Sequence, residues 1–133
     1  MTAGRCSGPA SPDLLAGIEL FNRREFFACH EVLEELWRAE PDPVRRLYQG
    51  ILQIGVGFYH LGRGNRVGAL RQLDKGISRV EVFLPRCLGV DTAGLVSGAR
   101  ACRELVAALG PDALARFDWS RVPIIAVDHP AQP

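Results

Sequence analysis

Apolar positions in this chain recur every three or four residues, the repeat of a helical face. Leu70, Leu73, Ile77, Val80 and Leu84 share one side of their segment, and Leu95, Ala99, Cys102, Leu105, Val106 and Leu109 share one side of a later segment. The spacing predicts five helices, each opened by a residue able to cap free backbone N–H groups and closed by a breaker. Ser11-Pro12-Asp13 opens the first, which runs to about Asn22. The second covers about 24–40. Asp42 and Pro43 start the third, which Gly62 and Gly64 end; Asn65 caps the fourth, and Pro85 stops it. Asp91 begins the fifth, which Gly110-Pro111 closes. Nothing before residue 120 alternates as a strand does, and the prolines around "VPIIAV" argue against a central strand. That segment is expected to lie extended over the bundle or against a partner. The expected fold is all-α: a single compact bundle of about five helices over 11–117, preceded by a disordered lead over 1–10 and followed by an irregular, extended tail over 118–133.

At about 100° per residue, Phe26, Cys29, Leu33, Leu36 and Trp37 cover one apolar arc of helix two. His30 and Glu34 lie at its margin with Phe27 beyond them, whereas Glu31, Glu35 and Arg38 take the opposite side. On helix three, Leu47, Ile51, Ile54, Phe58 and Leu61 form one face, and Tyr48, Leu52, Val56 and Tyr59 extend the apolar cover. Gln49, Gln53 and His60 are left on one narrow strip, bordered by Gly50 and Gly57, where another backbone can approach. If residues 39–42 turn the chain back on itself, His30 falls level with Gln53 and Glu34 with Gln49, and His60 lies roughly 10 Å farther along. Burying unpaired polar groups is costly. The expected arrangement is therefore a buried cluster of His30, Glu34, Gln49 and Gln53 between helices two and three, with His60 an outlying member.

Three chemistries suit such a cluster. A hydrogen-bond network would hold the two helices in register. A binding or catalytic pocket would use His30 as a general base oriented by Glu34, the basis of a hydrolase alternative. Cys29 adjoins His30 but projects about 100° away from it, so no nucleophile stands beside the pair. A divalent metal on His30, Glu34 and His60 would make a metal-assisted enzyme. However, "HEVLE" lacks the second histidine of H-E-x-x-H and reverses the Glu-x-x-His order of di-iron bundles, and glutamine amides are poor ligands. No cofactor is expected, and the metal is the least favoured alternative. Trp37, Tyr48 and Tyr59 read as packing residues, and "GRGNRVGA" lacks the strand that a phosphate-binding loop requires.

Composition narrows the classes. At 133 residues with 47% hydrophobic and 23% charged, the chain has the makings of one ordinary globular core. Its 16 Lys plus Arg against 15 Asp plus Glu leave no basic excess for nucleic acid or an anionic membrane. The longest charge-free run, 47–62, is shorter than the roughly 20 residues that span a bilayer. The first residues lack a secretory apolar run, and the four cysteines show no C-x-x-C spacing, so reduced structural thiols and a cytoplasmic location are expected. The expected role is a binding or interaction module, with a homo-oligomer or an unknown protein as partner.

"FNRREFFACHEVLEELW", "YQGILQ", "FYHLGRGN" followed by "GA", and "LGVD" together resemble, in order and spacing, the DUF309 family, a domain of unknown function, over roughly 14–106. The resemblance implies a compact all-α domain without an established activity. Its marked polar positions correspond here to His30, Glu31, Glu34, Gln49, Gln53, His60 and Asn65. This chain departs from the pattern at Arg24, where glycine is frequent, and at Ala28, where an acid is common. The tail lies outside the resemblance.

Overall fold

The computed structural model describes residues 4–128. Five helices follow in order: α1 (Pro12–Asn22), α2 (Phe26–Ala39), α3 (Arg45–Gly62), α4 (Arg66–Val80) and α5 (Thr92–Ala108). Single 3-10 turns occupy Glu81–Phe83, Pro111–Arg116 and Trp119–Arg121. Among the described residues there is no strand, only isolated bridges that pair Cys87 with Val90 and Val90 with Val127. The all-α bundle expected from periodicity is the fold observed. No helix among the described residues is long and apolar enough to cross a membrane.

The helix starts follow from cap chemistry. Ser11 Oγ accepts from Leu14 N at 3.1 Å, Asn65 Oδ1 from Gly68 N at 2.9 Å, and Asp91 Oδ1 from Gly94 N at 3.0 Å. Two starts are later than expected. Helix α2 begins at Phe26 because Arg24 adopts φ +64°, a left-handed conformation that ends α1 and cannot belong to a helix. Before α3, residues 42–44 form a tight turn in which Asp42 Oδ2 accepts from Val44 N at 2.8 Å.

Phe21, Phe26 and Phe58 pack together where α1, α2 and α3 meet, edge-to-face at 5.3 Å between centroids for Phe21–Phe26 and tilted at 5.6 Å for Phe26–Phe58. On the other side α3 presses closely against α4. A Cβ on Gly76 would stand 2.7 Å from the Gly50 carbonyl oxygen, and one on Gly57 would stand 2.8 Å from the Leu73 side chain. The backbone that approaches Gly50 and Gly57 is therefore α4, not α2. In α5, Leu95, Ala99, Cys102 and Val106 are buried as expected, but Leu105 turns outward.

The described part of the lead is packed on the bundle instead of disordered, and the tail lies over the bundle, one of the two placements expected for it. Gly4–Ala10 is held: Cys6 is disulfide-bonded to Cys87, Leu88 N donates to Cys6 O at 2.8 Å, Arg5 N donates to Asp42 Oδ2 at 2.9 Å, and Ala10 is buried. This corrects the reading of Cys6 and Cys87 as reduced thiols. A separation of 81 positions carries no local spacing signal that could have paired them. Cys29 and Cys102 do remain free and buried. The tail lies over the bundle: Val122 and Ile125 are buried, and the Asn22 side chain accepts from Ile125 N at 2.7 Å and donates to Ile125 O at 3.0 Å. Residues 1–3 of the expected lead and 129–133 of the expected tail lie outside the described residues.

Candidate binding surface

The register between α2 and α3 agrees with the turn-based estimate to within a residue. Phe26 meets Phe58, and Gly55 faces Cys29. The rotation of the polar strip about α3 is what differs. His30 and Glu34 stay together, with Nε2 and Oε2 2.9 Å apart, but their side chains are 35% and 27% exposed. Glu34 Oε1 also meets Arg38 Nη2 at 2.5 Å, so the carboxylate bridges His30 and Arg38, each about one turn from it on the flank of α2. Gln49 turns away, its Oε1 accepting from Arg79 Nε of α4 at 2.8 Å. Gln53 Oε1 is buried with no hydrogen-bond partner among the described residues. The four side chains are thus divided between a surface pair on α2, an α3–α4 link and one unpartnered amide oxygen. No buried seam joins them.

His60, expected to be too distant, lines the same concavity as His30. This apolar notch of about 150 Å³ also holds Phe26, Phe27, Val56 and Tyr59. Phe27 spans the levels by packing on Tyr59 at 5.9 Å. Phe27 itself is 58% exposed, an uncovered aromatic on a bundle whose other phenylalanines are buried. The His60 ring nitrogen Nδ1 lies 3.4 Å from Asn65 Nδ2, which ties it to the start of α4.

The least favoured alternative, a metal on His30, Glu34 and His60, finds no converging set: among the described residues no group of three or more His, Cys, Asp or Glu side chains is placed to hold an ion. Nor does a nucleophile join the histidine. Burial pushes the Cys29 thiol up to about 12, against the lowering effect of its hydrogen bond with the Phe21 backbone, so it stays protonated at neutral pH. Burial likewise raises Cys102 to about 11.

A second concavity, of about 480 Å³, escaped the reading of the sequence. It opens where the end of α2, the start of α3 and the end of α4 meet, and Trp37, Arg45, Arg46, Gln49, Ser78 and Arg79 line it. Its arginines come from two helices some thirty residues apart, so no run of basic residues marks them along the chain. The adjacent pair in "PVRR" was the one local signal.

Comparison with known proteins finds similarity to proteins of unknown function. A stretch of the chain is 39% identical over 61 residues to the uncharacterised protein YpuF of Bacillus subtilis (strain 168); this stretch is 45% of the present chain and 35% of that relative. The match thus spans about a third of the relative's length. No solved structure matches the chain. The model of the family described as "Domain of unknown function (DUF309)" matches residues 14–72, ending short of "LGVD". His30, His60, the glutamates, both glutamines and Asn65 all fall within that match, so over this span, from α1 to the middle of α4, the chain is similar to the DUF309 family.

Proposed function

We propose that this chain is a recognition module that pairs with a second copy of itself through the notch end of α2 and α3, binding without turnover. The observation that carries the reading is Phe27, 58% exposed beside a notch of about 150 Å³ whose walls are mostly apolar. An exposed ring next to a concavity is self-complementary: under a twofold operator each copy inserts its ring where the other offers the hollow. Charges around the notch favour the same arrangement. Exposed Glu31 lies one helical turn beyond Phe27 on α2, and exposed Arg63 lies over the Tyr59 ring at 5.9 Å. Each copy would bring acid to the other's guanidinium. The His30–Glu34 pair stiffens the rim, with its imidazole tilted against Phe27 at 6.4 Å.

The test is molar mass by light scattering across a dilution series. The wild-type chain is expected to rise toward twice 14.6 kDa with concentration. Phe27→Ser, an exposed change, should hold the chain at the monomer mass with its helical circular dichroism intact. A wild-type chain that stays monomeric throughout, or a variant that assembles as well as wild type, would refute the proposal.

A further inference from the structure

The cleft at the other end of α3 has the opposite chemistry to the notch. Several arginines elsewhere on the molecule sit on carboxylates, among them Arg23, Arg38, Arg86, Arg100 and Arg103, whereas Arg66 is held by the Ala107 and Leu109 carbonyls. Two of the arginines lining the cleft are likewise held by neutral acceptors. Arg45 Nε donates to the Trp37 carbonyl at 3.3 Å while its guanidinium lies over the Trp37 ring, 5.1 Å from the centroid. Arg79 Nε donates to Gln49 Oε1 at 2.8 Å. These contacts fix the two planar forks without cancelling their charge, and no carboxylate is among the described residues that line the cavity.

We infer that this cleft binds a small phosphate-bearing anion, with Arg45 and Arg79 donating to its oxygens. Guanidinium forks match phosphate oxygens in pairs, and such charge-assisted bonds are the stronger class. The volume of about 480 Å³ lies in the range of small-molecule sites and exceeds what a lone phosphate fills. Trp37 supplies an apolar wall beside the charged one. Gln49 acts as a positioning residue, aiming Arg79. On α3 the nearest lining residues of the cleft and the notch, Gln49 and Val56, are seven residues apart, roughly 10 Å, so the inference stands apart from self-association and survives if Phe27→Ser changes nothing.

The chain has two tryptophans, so the full-length Trp119→Phe variant reports on Trp37 alone. Its fluorescence would be followed during titration with inorganic pyrophosphate and, separately, ATP, at constant ionic strength. A saturable change with either supports the site; saturation by pyrophosphate alone identifies an inorganic or compact phosphate, and tighter saturation by ATP identifies a nucleotide. Arg79→Gln should weaken binding about tenfold or more, as loss of a charge-assisted bond does. Ser78→Asp, at an exposed position that does not carry the fold, should weaken it at least as much by placing a carboxylate in the cleft. The inference is overturned if neither anion saturates at roughly millimolar concentration, or if the folded Ser78→Asp chain binds as tightly as its parent.

Discussion

Arg79 of α4 donates to Gln49 of α3, and that bond holds the Gln49 end of the α3 polar strip toward α4. With Gln49 engaged there, His30 and Glu34 are left as a surface pair on α2. The two sites should therefore respond differently to substitution. His30→Ala removes a half-exposed i,i+4 pair and should cost no more than about 1 kcal/mol in urea unfolding. Gln49→Leu deprives Arg79 of its acceptor and should cost about the same, but by loosening α4 rather than α2. A loss of several kcal/mol in His30→Ala would mean that the imidazole is part of the core.

Why the strip was misplaced is a matter of competition between helices. The caps at Ser11, Asn65 and Asp91 were legible because each bonds only three residues away. The α2–α3 register was legible because a short turn leaves little freedom in how two antiparallel rods align. Rotation is different. Gly50 and Gly57 mark a side where backbone can approach, but nothing local says whether α2 or α4 takes it. The Gly50–Gly76 contact gives that side to α4. The Cys6–Cys87 bond and the arginine cleft were hidden for the same reason, since both are assembled from distant segments.

The Cys6–Cys87 bond closes a loop with a separation of 81 residues and ties the lead to the α4–α5 connection. Cross-links of this span typically stabilise by about 2–4 kcal/mol. Reduction, or Cys6→Ser, should lower the free energy of unfolding by that order. Thiol titration provides a direct check: the denatured, unreduced protein should yield two thiols, Cys29 and Cys102, and the native protein almost none because both are buried. Four thiols in the denatured, unreduced protein would show the bond to be absent. They would also agree with the cytoplasmic location expected from the sequence, because such bonds persist mainly in oxidising compartments.

Asp42 links the lead to the α2–α3 turn. Its carboxylate accepts from the backbone N–H groups of Arg5 and Val44, and these bonds hold its pKa below the ordinary 3.8. A depressed carboxylate pKa contributes stability above the unfolded value, and that contribution is lost as pH falls through the folded one. The urea midpoint of wild type should therefore exceed that of Asp42→Asn at neutral pH, and the gap should close as pH drops below about 3.8. A gap constant with pH would mean that the charge on Asp42 contributes nothing.

Arg24 carries the clearest conflict between residue type and backbone. It takes φ +64° so that its own N–H can reach Phe21 O at 2.8 Å and that of Glu25 can reach Leu20 O at 2.9 Å, turning α1 into α2. A side chain in this region costs about 1–2 kcal/mol, whereas glycine pays only the additional entropy of a freer unfolded chain, about 0.5–1 kcal/mol. Arg24→Gly should therefore raise stability by up to about 1 kcal/mol, visible as a higher thermal midpoint. Arg24→Val should lower it, since a β-branched residue tolerates the conformation least. The side chain is exposed, so neither change disturbs the core. If Arg24→Gly were instead destabilising, the guanidinium would have to be making a contact worth more than the strain it imposes.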